Sequence, residues 1–230
     1  MKIQADVCKQ IAKTALSGRW IGAMTTGLVA SFLGVFTNLV SGVLKIGLLS
    51  IVFITLFERV PLHLELTILL AFVLATIWFM VGSYIHLGHI DYNLAILDQR
   101  GESGTQLFGS SASWFRCIEL RVFIMLATCI GCMFFLIPGM IIYYTYAMAP
   151  FLLEEQGDLT VAEALALSRQ KMSGNRFQFF LLRLSFLGWN IFGILTLGLG
   201  FLYVHPYYAM SEAVFFNEVS GRAEALYERH

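Results

Sequence analysis

Three sets of residues in this chain have types and spacings that chemistry uses. Cys129 and Cys132 stand three apart, the spacing of a thiol redox pair, which puts both sulfurs on one face of a helix. Redox work also needs a base or cation that lowers a thiol pKa, and the intervening Ile130 and Gly131 supply none. The pair reads as two small apolar side chains, and no structural disulfide is expected from it or from Cys8 and Cys117. His86, His89 and Asp91 form the second set, two imidazoles about one turn apart with a carboxylate beyond. A metal site needs three or four converging ligands, and no zinc-helix spacing such as His-Glu-x-x-His is present, so interfacial histidines are expected, with no metal and no cofactor. The third set is Asn38, Lys45, Asn190, His205 and Glu212, polar groups in or beside apolar segments. An ionisable group in hydrocarbon is costly and marks a functional site by default. Glu212 leads this set, facing His205 or Asn190 in a transport pathway, or else serving as a satisfied structural carboxylate.

The elements that hold these residues must lie in lipid. Hydrophobic residues make up 58% of the chain and charged ones 13%, far from the balance of a soluble domain. The stretch from Arg176 to Phe216 alone is longer and more apolar than a soluble domain of this length can bury. Apolar windows fall at 20–40, 43–57, 64–88, 118–153 and 177–217. Ile137-Pro138-Gly139 interrupts the fourth, as a kink or a hairpin turn; Gly198, Gly200 and Pro206 interrupt the fifth.

Cationic residues concentrate on the cytoplasmic side of a membrane protein, which decides between these readings. Six spans, near 20–40, 64–88, 118–136, 139–153, 177–198 and 201–217, put 13 of the 15 Lys and Arg residues inside, leaving Lys45 and Arg59 outside. A mere kink at Pro138-Gly139 leaves 7 inside against 8 outside, and letting 43–57 span as well leaves 6 against 9. The sequence therefore predicts an all-α, polytopic membrane bundle of about six transmembrane helices plus amphipathic interfacial helices. It is a single domain over 1–230: an amphipathic N-terminal helix over 1–19, lying on the membrane surface and retained, a bundle over 20–217 and a polar cytoplasmic tail over 218–230. Pro138, Gly139 and Pro206 are its hinge or turn residues, and Ala23, Gly27 and Ser31 form a small-residue stripe for helix packing.

Between the fourth and fifth spans, 158–174 reads as a helix capped by Asp158 or Thr160 and ended by Gly174, flat on the cytoplasmic face. Arg169, Lys171, Arg176 and Arg183 then stand near headgroup level, as snorkelling anchors or as a site for anionic lipid.

Ile137-Pro138-Gly139, Tyr146-Ala-Met-Ala-Pro150, the helix from Ala164 to Ser168 ending Met172-Ser-Gly174, Leu184-Ser-Phe-Leu-Gly-Trp189, Leu195-Thr-Leu-Gly-Leu-Gly200 and Pro206-Tyr207, in that order, resemble a bacterial integral membrane family, domain of unknown function 975. Arg100-Gly101-Glu102 and Leu107-Phe108 extend the resemblance to most of the chain from about residue 80. The family is distantly similar to the membrane-embedded, non-catalytic bundle found beside some bacterial glycerophosphodiester phosphodiesterase domains. The resemblance implies a multispanning fold with no assigned reaction. Ser173 and Asn175 depart from the lysine and basic residue common there, which weakens a phosphate-binding role for that loop.

No phosphate loop, nucleophile elbow or paired catalytic carboxylates are present, and the net charge of zero gives no pull on nucleic acid. The expected function is a non-enzymatic scaffold or accessory factor of the bacterial cytoplasmic membrane, multi-pass with both termini cytoplasmic. Its expected partners are membrane lipids, anionic ones included, and a membrane protein or a second copy of itself. The alternative is a small transporter or channel with its polar site near Asn190, His205 and Glu212.

Overall fold

A computed structural model describes residues 5–32, 64–101, 104–110, 112–196 and 199–222. The 43–57 window, Asn38, Lys45 and Arg59 lie outside the described residues. Those described are helical or irregular, with no strand among them, in the order α1 (Ala5–Ala15), α2 (Trp20–Phe32), α3 (Leu64–Leu97), a 3-10 turn (Gly104–Phe108), α4 (Trp114–Phe134), α5 (Leu136–Tyr146), α6 (Ala149–Glu155), α7 (Val161–Lys171), α8 (Arg176–Leu184), α9 (Leu187–Leu195) and α10 (Leu199–Ser220).

The helices pair antiparallel. Phe135 alone is extended between α4 and α5, at φ −168° and ψ 156°, and Phe123 meets Tyr146 edge-on at 5.8 Å, each about a dozen residues from that reversal. The break at residues 137–139 is thus the start of a helix returning along α4, rather than a kink. Pro138 sits in its first turn, where a missing amide proton costs nothing. Gly139 makes the crossing possible: a Cβ there would lie 2.8 Å from the Cys132 amide nitrogen and would run into Cys132 Sγ. At Gly131 a Cβ would come within 2.8 Å of Gly139 Cα.

A second zip joins α8 and α9 to α10. Gly193 meets Gly200, Trp189 meets Tyr203 at 6.0 Å, Phe186 meets Tyr208 at 5.3 Å, and Phe179 meets Phe215 at 4.9 Å. The fifth expected span is two helices joined through Ser185-Phe186, and α10 runs unbroken through Pro206. A third antiparallel pair is α2 with α3: Arg19 Nη1 donates to Ile96 O at 3.4 Å, a Cβ on Gly22 would meet the Tyr92 hydroxyl, and Ala30 packs with Ile85.

Burial is polarised along these pairs. The descending ends share one core of Leu94, Ile96, Leu97, Phe151, Leu152, Val214, Phe215 and Phe216, so the reversals at Phe135 and between Leu195 and Leu199 lie at the same opposite end. There the large apolar side chains are open, Met133, Phe135, Ile137, Leu195 and Leu199 among them. No Asp, Glu, Lys or Arg occurs between Arg121 and Glu154, or between Arg183 and Glu212. Of the described helices, α4 is long and apolar enough to cross a membrane by length and composition, and Trp20–Ala30 is a shorter apolar stretch.

Two amphipathic helices differ from expectation in what covers them. In α1, Cys8, Ile11, Ala12 and Ala15 are buried in the main core with α10 residues, so the face assigned to the membrane surface is taken by protein. Lys9 Nζ reaches Ser185 O at 3.4 Å and stands 4.8 Å from the Phe186 ring centre. In α7, Val161, Ala164 and Leu165 pack with Leu87, Cys117, Leu120, Ala149 and Leu153. The Ser168 hydroxyl donates to Thr145 O at 2.9 Å. Thr160 caps this helix: its hydroxyl accepts from Glu163 N, while Glu163 Oε2 accepts from the Thr160 amide at 2.9 Å and hydroxyl at 2.8 Å. Those two bonds hold the Glu163 carboxyl below its usual pKa. Gly174, at φ +87°, ends the segment.

Gly139→Ala forces overpacking at the α4–α5 crossing and should cost about 1–3 kcal/mol, seen as a fall of several degrees in thermal midpoint of the detergent-purified protein. Gly188→Ala, where a Cβ meets nothing within 4 Å, should leave the midpoint unchanged or raise it slightly, since alanine is the better helix former by about 1 kcal/mol.

Candidate functional site

The register of the second zip decides where the charges go. Arg183 ends α8 and Glu212 lies well inside α10; each is about four helical turns from the reversal between them, so the two meet. Glu212 Oε1 accepts from Arg183 Nε at 2.9 Å and is 2.7 Å from Nη2. The Tyr208 hydroxyl, one turn before Glu212, donates to the same oxygen at 2.5 Å. From α5, the Tyr143 hydroxyl accepts from Arg183 Nη1 at 2.6 Å.

Rings enclose the guanidinium. Its carbon stands 4.9 Å from the Tyr143 ring centre, 4.8 Å from Phe179, and 5.8 Å from both Tyr144 and Tyr208, within cation–π range. The two charged side chains are 18% and 15% exposed. An ion pair this far removed from water survives only when its hydrogen-bonding capacity is met by fixed partners, and the two tyrosines and the carboxylate provide that. Chemically, the arrangement clamps α5, α8 and α10 together.

His86 lies on α3. It is half-buried. Arg121 Nη1 donates to Ser83 Oγ at 3.4 Å, one turn from His86, and its guanidinium lies 5.0 Å from the Phe79 ring centre. His89 is buried, with the Asn93 amide donating to its carbonyl at 2.8 Å. Its ring stacks on His205 at 5.5 Å, so it lies inside the bundle rather than at an interface with headgroups. Asp91 is half-buried.

The other expected site residues scatter. Arg169 is exposed; Lys171 Nζ donates to Ser220 O at 3.4 Å; Arg176 is half-buried with its Nε enclosed. With Arg183 clamped to Glu212, the four cations do not form one basic surface. His205 lies against Gly27, and Asn190 is half-buried; neither meets Glu212. Pro206 is buried within α10. All four cysteines are free, Cys129 exposed and Cys132 half-buried. The Cys8 thiol is pushed up to about 12 by burial and by Glu218. Among the described residues no three His, Cys, Asp or Glu side chains converge as metal ligands.

Sequence reasoning singled out Arg183 and Glu212 separately and missed Tyr143, Tyr144, Phe179 and Tyr208. The spacing of Tyr208 and Glu212, four apart on one helix face, was the available signal.

Residues 22–223 match the family model described as protein of unknown function, DUF975. The chain belongs to this family. The match runs from within α2 to beyond the end of α10 and takes in the whole Arg183–Glu212 site. No curated protein and no solved structure matches the DUF975 chain.

Tyr143→Phe and Tyr208→Phe each remove a hydrogen bond to a charged group and should destabilise the protein by about 1.5–3 kcal/mol. Tyr203→Phe, whose hydroxyl makes no hydrogen bond among the described residues, should change thermal stability by less than about 0.5 kcal/mol. Thermal melts of the three purified variants check this.

Proposed function

We propose that this DUF975 chain is a non-enzymatic integral membrane protein of the bacterial cytoplasmic membrane, a lipid- or partner-binding scaffold or accessory factor. It has six spans in three hairpins, with both termini on the cytoplasmic side. The observation that carries the proposal is the polarity of burial. At one end, buried core and charged residues sit together; at the other, the two hairpins that reverse at Phe135 and between α9 and α10 are free of acidic and basic residues and open their large apolar side chains outward. Water penalises that open surface at about 25 cal/mol per Å², and lipid does not.

Three further features support it. The small residues Gly131, Gly139, Gly193 and Gly200 sit at helix crossings, as they do where lipid tails give no apolar drive to association. Glu155 and Arg222 pair at the charged end, and Arg116 Nη1 donates there to the carbonyls of Gly157 and Leu159. The distant similarity to the non-catalytic bundle beside glycerophosphodiester phosphodiesterase domains belongs to the same proposal. Of the four cations expected at headgroups, exposed Arg169 and its neighbour Lys171 keep that role in it, with anionic lipid as the ligand. A transport pathway, the alternative, retains Glu212 and loses Asn190 and His205 from its line.

Two results test this. In a variant lacking the native cysteines, Ile137→Cys should react with an impermeant thiol reagent in intact cells, and Ser173→Cys only after permeabilisation. Release of the protein from membranes by alkaline washing, or labelling of Ser173→Cys in intact cells, would overturn the topology. Arg169→Ala with Lys171→Ala should lower affinity for vesicles containing phosphatidylglycerol roughly thirtyfold, from about 1 kcal/mol per cation; unchanged binding would remove the anionic-lipid role.

A further inference from the structure

The 3-10 turn before α4 is held hard against the bundle and yet turns large rings outward. Leu107 is buried with Ala30 and Ile85, and it lies so close to α3 that a Cβ on Gly88 would run into its carbonyl. The Tyr84 hydroxyl donates to Phe108 O at 3.0 Å, and the Tyr84 ring stacks on Trp114 at 5.8 Å. Phe108 and Trp114 are thereby tied to one half-buried tyrosine, and Phe115 follows directly. These three rings are 61%, 48% and 83% exposed. Single exposed apolar residues are ordinary, but neighbouring aromatic rings on a braced support form the kind of surface that proteins use for contact.

The exposed charges beside these rings are negative. Glu119 is exposed one helical turn from Phe115, on the same side of α4. Arg116 Nη1 donates to the carbonyls of Gly157 and Leu159, which brings Asp158 to the start of α4, and Asp158 is exposed too. Neither carboxylate has an ion pair among the described residues. Arg116 itself is half-buried and turned onto those two carbonyls. Glu119 also separates the rings from the open apolar stripe of Phe123, Leu126, Ile130 and Met133 further along α4. An exposed carboxylate is costly in hydrocarbon. With α4 as a span, the rings therefore stand on the water side of Glu119, where anionic headgroups would meet two like charges.

We propose that Phe108, Trp114 and Phe115, rimmed by Glu119 and Asp158, dock a basic amphipathic helix of a partner protein. Its apolar side chains lie on the three rings, and its Lys or Arg residues meet the two carboxylates. The rings supply most of the affinity, as exposed aromatics on a rigid support do, because little ordering is left to be done on binding. The acidic rim sets the choice of partner and excludes acidic segments. This names the partner in the scaffold reading and rests on that reading for the place of α4 in lipid; the surface itself does not.

The experiment places the purified full chain in phosphatidylcholine nanodiscs and adds a fluorescent amphipathic peptide of leucine and lysine, or its counterpart with glutamate for lysine, read by anisotropy. The lysine peptide should bind loaded discs about tenfold tighter than empty discs, and about tenfold tighter than the glutamate peptide binds loaded discs. Phe115→Ser, which removes an open ring, should weaken the lysine peptide about tenfold with the thermal midpoint unchanged. Glu119→Gln with Asp158→Asn should weaken it about fivefold and leave the glutamate peptide better bound than before. Equal affinity for loaded and empty discs, or unaltered affinity in Phe115→Ser, overturns the proposal. A benzophenone amino acid in place of Phe115 that yields lipid adducts alone in intact cells would assign the rings to the bilayer and overturn it as well. Selective binding of the lysine peptide by a chain that alkali strips from membranes would sink the scaffold reading and keep the docking surface.

Discussion

A guanidinium removed from water must be answered by fixed partners, and in this protein that requirement ties three helices to one another. Arg183 reaches Glu212 on α10 and Tyr143 on α5, and four rings close around it. Removing one partner of such a pair leaves a charge with nothing to replace its hydration, at a cost of about 3–5 kcal/mol. The register of the α8–α10 zip and the placement of the α4–α5 hairpin beside it both go with seating that one side chain.

The rest of the architecture supplies the frame. Close helix crossings need residues without side chains, and glycines stand on both arms of each described reversal: Gly131 and Gly139 about Phe135, Gly193 and Gly200 about the break before α10. Away from the reversals, α1 and α7 lay their apolar faces on the converging helix ends and give the charged end a core. One end is therefore packed and polar at its rim, and the other is apolar to its surface.

Much of this was legible in the sequence. Helical content, the interruption at 137–139, the capped helix from Thr160 to Gly174 and the singling out of Glu212 all came from local pattern, because each depends on neighbours a few residues away. The turn itself was displaced, to Phe135, because proline belongs naturally in the first turn of the returning helix. The apolar faces of α1 and α7 were visible, but periodicity shows that a face is apolar and not whether lipid or protein covers it. Arg183 went to the headgroups and Glu212 to a pathway because their meeting depends on hairpin register. Once the chain is known to reverse between α9 and α10, 183 and 212 fall at nearly equal distances from the facing helix ends, and the pairing becomes readable.

A double-mutant cycle on Arg183→Met and Glu212→Leu, measured as unfolding free energy in one detergent, reaches the clamp most directly. Each single change should cost about 3–5 kcal/mol, and the double variant should recover more than half of the summed loss, because neither charge is then left alone. Losses below about 1 kcal/mol that simply add would show that the two residues do not meet in the folded protein.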